Sequence, residues 1–580
     1  MHANTHSLLQ GCIIGVYLIL MLVVGIVFKR FNKDTSDYFR GGCRATWWLV
    51  GVSAFMAGFS AWTFTGAAGA IFLHGWSILI IYLGNAFGFL LNFLFFGPWA
   101  RQLRTVTSPE AIQLRFDEPT RAFYAFVGVF LSLLYSGLQL YGLALFSSSV
   151  FGLPLQALII TLGAVVVLYA TLGGSWAVMA TDFLQGTILI PITVLLAVLC
   201  LLKVGGIAAF FDQIQAQGLQ ADFALVKDAQ HAVAGSFTLG WISAMFFQAA
   251  LSFNTLSSAS RYFSVKDGKA ARKAALLGGA LFLFGSLFWF IPPITARLLF
   301  ADAVNGMPYP KPEETAYAVA SFTLLPPGLV GVMVVAIFSA TMSAMGPGLN
   351  GNAGVMVYDL YPLFCRFVGK TPRDVSRLMT ASRVATVVLG TAVVGVALYF
   401  ARSKGVGLFE AMINIGAMLA VPLSIPMVWC LFLRRSPSWA ALFTASATFV
   451  VSAIGYFSGS LFGEAWSFQT RVAVNAGFGT FFYFTTLLFW GTTSDVYREK
   501  VKRFFHTMHL PVDFESEVGT PNDGRQLRFI GAFGLTIGVL VLSLSFLPGT
   551  TKDLLATLSV GLAILALGGA MYYAGKRSAS

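Results

Sequence analysis

The residues of this chain best placed to do chemistry run Met56-Ala-Gly-Phe-Ser-Ala-Trp-Thr-Phe-Thr-Gly66. Ser60, Thr63 and Thr65, with glycines at 58 and 66, interrupt an apolar segment long enough to cross a bilayer. A hydroxyl in hydrocarbon needs a partner, so such a patch faces a cavity, an ion or another helix. What it offers is binding through oxygen lone pairs, not bond breaking. Gln248-Ala-Ala-Leu-Ser-Phe-Asn-Thr255 breaks a later apolar segment in the same way. Small residues also let helices pack closely, so the meaning of both breaks depends on the elements that position them.

Other chemistries are poorly supplied. The six histidines (2, 6, 74, 231, 506, 509) show no metal-ligand spacing, and Cys12, Cys43, Cys200, Cys365 and Cys430 form no CxxC pair. Gly369-Lys370-Thr371 suggests a phosphate loop, but Phe364 stands where the leading glycine belongs. No polar stretch is long enough for a catalytic domain, and the largest, 492–526, is a charged linker with a short amphipathic start. The expectation is a protein that is not an enzyme and has no organic cofactor.

Composition supplies the positioning elements. Of 580 residues, 57% are hydrophobic and only 11% charged, far too few charges for a water-soluble surface. The chain reads as an all-α integral membrane protein of the cell (inner) membrane with about 15 transmembrane helices. The first apolar run, Leu8 to Phe28, reads as a retained span and not a cleaved signal. With the N-terminus outside, 29 of the 37 Lys and Arg fall in inside loops. The expected topology is therefore N-out/C-in. The formal charge of +13 is spread over all these loops, so it orients the protein and meets lipid headgroups. No nucleic-acid partner is expected.

Spans 2 to 11, from 47–73 to 407–433, divide into two sets of five, and an odd number sends the second set in with opposite sense. Each set opens on one of the two breaks, and paired interrupted helices in inverted halves point to a binding site at mid-membrane. The boundaries read as follows: 1–46 an N-terminal helix and cytoplasmic loop, 47–235 the first repeat, 236–435 the inverted second repeat. Residues 436–580 hold about four extra helices and the linker 492–526.

Leu172-Gly-Gly-Ser-Trp-Ala-Val-Met-Ala-Thr-Asp182-Phe-Leu-Gln185 is similar to the GG-x-x-AV-x-x-TD-x-x-Q signature of the sodium:solute symporters, which have a LeuT-type 5+5 inverted-repeat fold. Ser108-Pro-Glu110 with Arg115-Phe116, Ser260-Arg261-Tyr262 with Lys266-Asp267, and Asn350 with Asp359-Leu-Tyr361 extend the resemblance over about 8 to 435. It implies sodium-coupled symport of a small solute into the cell. It also implies a sodium site of backbone carbonyls at Met56 and Phe59 facing Ala340 and the Ser343 hydroxyl. Ala344 departs from the family's pair of adjacent hydroxyls; Thr341, Ser339 or water would have to replace the missing oxygen. A second site at Asp182 and Ser343 would need two further hydroxyls where Gly346-Pro347 stands.

A mid-membrane pocket needs a few aimed polar groups among aromatics. Ser60, Thr63, Tyr82, Asn85, Tyr135, Gln139, Gln248, Asn254 and Asn414 are the substrate-binding candidates, with Trp62 and Phe253 as gates. None is charged, so the expected solute is neutral: sugar-, polyol- or amino-acid-like. Proton-coupled or uncoupled transport, and a solute sensor of the same fold, are the alternatives. The chain ends at Ser580 without a fused signalling domain, which favours transport. The expected partners are the solute and the lipid bilayer, with the protein a monomer or weak homo-oligomer.

Overall fold

A computed structural model describes residues 2–29, 41–172, 175–228, 230–231, 236–256, 258–369, 375–403, 407–520 and 523–577. Among them, ten helices are long and apolar enough to cross a membrane, and five shorter apolar helices accompany them. After α1 (His2–Lys29) the chain forms α2 (Trp47–Ala57), one turn at Ala61–Phe64, and α3 (Gly66–His74). α4 (Leu79–Leu91) runs through a π-helical segment, Asn92–Phe96, into α5 (Gly97–Gln102). Next come α6 (Ser108–Arg115), α7 (Glu118–Phe151), α8 (Leu155–Leu172) and α9 (Ser175–Val204).

The chain continues with α10 (Leu239–Ser252), α11 (Gly268–Leu299), α12 (Pro327–Gly354) and α13 (Val375–Arg402). α14 (Leu408–Ile415) then passes through a π-helical segment, Gly416–Ala420, into α15 (Val421–Phe432). Beyond it lie α16 (Ala440–Tyr456), α17 (Phe468–Thr486), α18 (Asp495–His509), α19 (Asp523–Ser543) and α20 (Thr551–Arg577).

Local chemistry sets several helix starts. Thr107 accepts the Glu110 N–H, Asp117 the Thr120 N–H, and Asp267 the Ala270 N–H at 2.7 Å. Each satisfies an amide that the first helical turn leaves free. Packing then sorts the helices into two groups. α2 and α4 pack with α11, and α10 packs with α4. In the other group α7, α8, α12 and α13 cross one another, while α9 lies against α2, α11 and α12. Both halves of the chain contribute to both groups. Close approach is needed where α4 meets α10: a Cβ added to Gly84 would stand 2.7 Å from Ala249 Cβ.

The linker after α17 is ordered against the same end of the molecule. α18 buries Val501, Phe504, Phe505 and Met508 and packs on α5 and α6. Lys500 Nζ donates to Phe116 O at 2.6 Å, and Arg104 makes two bonds to the Glu517 carboxylate at 2.7 and 2.8 Å. Lys266 pairs with Asp523, and Gln526 Nε2 donates to Arg44 O. The strap therefore touches the start of α2, the end of α5 and the loop before α11.

Candidate functional site

The first break is built by its own residues. α2 stops in tight turns, with Gly58 N–H on Phe55 O and Phe59 N–H on Met56 O at 3.1 Å. Ser60 is fully extended (φ −153°, ψ 179°), and its side chain accepts the Trp62 N–H. Gly58 suits the bend because a Cβ there would stand 2.8 Å from the Phe253 ring. The break is pinned to α12: Thr341 Oγ1 accepts the buried Ala61 N–H at 3.0 Å and donates to Ile337 O. Met56, Phe59, Ala340 and Ser343 are all buried around this point.

The second break ends α10 at Ser252 and faces α4. Asn92, in the π-helical segment, gives its amide protons to Phe253 O at 3.0 Å and Gly88 O at 3.2 Å. It thereby holds a carbonyl freed by the break, a role no sequence motif announced. Asn92→Leu should lower the melting free energy by about 1 kcal/mol, the usual worth of a hydrogen bond between membrane helices. Thermal unfolding in detergent checks this, and an unchanged melt contradicts it.

The predicted substrate residues fall around these breaks. Ser60, Thr63, Tyr82, Gln248 and Asn254 are buried, whereas Asn85, Tyr135, Gln139 and Asn414 are half-buried. Tyr82 carries its hydroxyl toward Thr63 but completes no hydrogen bond there. Gln248 Nε2 donates to Ile413 O at 3.2 Å, and Asn254 Nδ2 to Ala250 O at 2.6 Å. The Oε1 of Gln248 and the Oδ1 of Asn254 are buried without a partner. Tyr135 Oη comes to Gly416, 3.4 Å from where a Cβ would stand. Asn414 is drawn the other way, its Oδ1 accepting from Arg471 Nη2 of α17 at 3.0 Å. α17 thus brings a cation against one of the candidates, none of which is itself charged. Trp62 stacks on Phe409 with ring centroids 5.9 Å apart, and Phe253 packs on Phe89 and Phe282.

A second polar cluster lies below the first break. Asp182 on α9 is 1% exposed; Ser53 Oγ of α2 donates to its Oδ2 at 2.5 Å. Arg261 donates to Ser53 Oγ at 2.8 Å and lies 3.4 Å from the same carboxylate oxygen. Ser343 sits toward Asp182 without completing a hydrogen bond, so Ser343 Oγ and Asp182 Oδ1 are both buried and unpartnered. Ser339 and Thr341 are already engaged. Ser339 bonds Tyr17 Oη and Val335 O, both at 2.6 Å, while Gln185 bonds the same tyrosine. A cavity of about 750 Å³ opens nearby, lined among others by Glu110, Arg121, Arg261, Ala344, Asn352 and Asp359. In its lining Arg121 pairs with Asp359. Gly173 and Gly174 of the signature lie outside the described residues, as do the side chains of Ser175, Trp176, Ser260 and Pro347.

Two broken helices facing each other inside crossed helical groups, with unpartnered oxygens at both breaks, define a secondary transporter of the LeuT-type fold. The model of the sodium:solute symporter family matches residues 38–447, and the chain belongs to that family. It is 25% identical over 455 residues to the sodium/sialic acid symporter NanT of Aliivibrio fischeri, covering 76% of this chain and 86% of that one. It is 28% identical over 362 residues to the osmoregulated proline transporter OpuE of Bacillus subtilis, covering 61% and 71%. A solved outward-open, substrate-bound Na+-coupled sialic acid symporter shares the fold, with TM-score 0.70 at 20% identity over 84% of this chain and 98% of that one. MHP1, a nucleobase-cation-symport-1 family transporter, superimposes with TM-score 0.52 at 15% identity, over 81% and 98%. The protein is a multi-pass membrane transporter, not an enzyme. Its activity is sodium-coupled secondary transport of a small organic solute.

Proposed function

We propose that this chain carries a small neutral solute, sugar-, polyol- or amino-acid-like, into the cell by alternating access, with sodium bound between the first break and α12. The observation that carries this reading is the set of buried, unpartnered oxygens at the breaks: Gln248 Oε1, Asn254 Oδ1, Tyr82 Oη and Ser343 Oγ. Leaving such groups unmet costs about 1–3 kcal/mol each, so a ligand that satisfies them is held. Carbonyls of Met56, Phe59 and Ala340 with the Ser343 hydroxyl offer hard oxygen ligands to a monovalent cation. Asp182 Oδ1, unpartnered beside Ser343, offers a charged ligand for a second cation.

Fifteen crossings, with the N-terminus outside and the C-terminus inside, fit the ten long and five short apolar helices and the bias of positive charge. Repeats at 47–235 and 236–435 fit the way helices of both halves divide between the two packed groups. With that orientation the cavity at Arg261 and Ala344 is a cytoplasmic exit, and the stacked Trp62 and Phe409 close the outer side. Ser60, Thr63, Tyr82, Asn85, Tyr135, Gln139, Gln248 and Asn254 take the solute; Asn414, held by Arg471, shapes the wall behind Gly416. The protein works as a monomer or weak homo-oligomer. Proteoliposomes with an inward sodium gradient, offered labelled sugars, polyols and amino acids, test this. One of these solutes should accumulate above its bath concentration only with sodium. Equilibration without accumulation, or equal accumulation on a proton gradient alone, overturns it.

A further inference from the structure

The outer end of the molecule holds an acid for which sodium and solute have no use. Glu314 lies in the turn Pro312–Thr315, just before the short helix Ala316–Leu324, and is 4% exposed. Its Oε1 accepts the N–H of Leu408, the first residue of α14, at 2.5 Å. The backbone of the same turn rests on α3: a Cβ added to Gly69 would stand 3.0 Å from Glu314 N and Cα. The next residue of α14, Phe409, stacks on Trp62 in the first break. The side chain therefore ties the turn to α14 while the backbone of the turn rests on α3, and these two helices cover the break on this side. The groups facing it are Lys311 and Glu313 from its own turn, Glu410 from α14 and Tyr141 from α7; α3 presents backbone at Gly69.

A buried carboxyl with a single amide donor is held more favourably neutral than charged, because water solvates the anion far better. We propose that Glu314 is a proton-sensing outer latch: neutral, it stays buried and holds the turn on α3 and α14; ionised, it favours the arrangement in which this mouth opens to water. Burial, with Glu313 and Glu410 adding to it, pushes the carboxyl up to about 7 against the pull of the Leu408 amide and Lys311. In the open arrangement the group is in water, at its ordinary value of 4.5. The closed arrangement therefore keeps a proton that the open one releases. Closing strengthens as pH falls from about 7 toward about 4.5 and is insensitive to pH outside that window.

The latch presupposes the two-sided access proposed above, but its test uses neither sodium nor solute, so the two can fail separately. Hydrogen exchange of the Leu408–Met412 amides would be followed in the full-length protein in nanodiscs, each rate divided by the unstructured-chain rate at the same pH. Protection should rise about ten-fold between pH 7.5 and 5.5. Glu314→Gln, a neutral isostere, should stay protected at both values, and Glu313→Gln should keep the rise. A flat profile in the wild type, or the same rise in Glu314→Gln, overturns the latch. Should Glu314→Gln fail to melt cooperatively, Glu314→Asp decides. That variant retains a titrating carboxyl and should keep a rise of the same sign; a flat profile there overturns the proposal as well.

Discussion

Thr341→Val should weaken sodium and solute coupling, although valine fills the same volume. The Thr341 hydroxyl is the acceptor for the Ala61 N–H at the first break and also donates to Ile337 O. Valine leaves that buried amide without a partner, a penalty of about 1–3 kcal/mol. The amide belongs to the turn whose carbonyls at Met56 and Phe59 would hold the ion. Each 1.4 kcal/mol of misplacement is about a ten-fold loss of affinity, so the half-saturating sodium concentration should rise about ten-fold. Thr341→Ser keeps the hydroxyl and should restore most of it. Sodium titration of transport in proteoliposomes measures both variants. Equal sodium dependence in Thr341→Val and the wild type would show that the pin does not position the site.

Arg115→Met should give the largest loss of stability. Arg115 is fully buried at the end of α6, donating to Cys430 O, Leu433 O, Ser436 Oγ and Tyr497 Oη. Through these bonds it joins α6 to the end of α15 and to α18. Methionine matches the stem but removes the donor from four acceptors, of which the Ser436 and Tyr497 hydroxyls keep other partners, and lost charged hydrogen bonds cost about 1.5–3 kcal/mol each. Part of that is relieved by rearrangement, leaving a net loss of about 3 kcal/mol or more. Lysine cannot span the same fork of acceptors and should recover little. Thermal melts in detergent report the change, and a melt within a degree of wild type would sink the assignment.

Local patterns reach as far as the breaks and no further. Gly58, Ser60 and the run from Gln248 to Thr255 show as polar interruptions of apolar segments, and the helices bend there. Helix-forming periodicity carries no signal for the π-helical segments at Asn92–Phe96 and Gly416–Ala420, because apart from Asn92 their residues are as apolar or small as those of the helices they continue. The pairings that shape the site join distant residues: Asn414 with Arg471, 57 positions apart, Leu408 with Glu314, 94 apart, and Ser53 with Asp182, 129 apart. Nothing in a window of a dozen residues reports such contacts. Thr341 and Ser339 illustrate the same limit. In the sequence they are spare hydroxyls able to replace the one missing at Ala344; in the structure each already makes two hydrogen bonds.

A sodium ion held between the first break and Ser343 can be tested without knowledge of the solute. The purified protein would be melted in sodium chloride and in choline chloride at equal ionic strength. A ligand bound only by the folded state stabilises by mass action, about 1.4 kcal/mol at ten times its dissociation constant. The predicted result is a saturable rise in melting temperature with sodium that Ser343→Ala loses, while its melt in choline chloride stays near wild type. No sodium effect up to several hundred millimolar, or an undiminished effect in Ser343→Ala, would contradict the site.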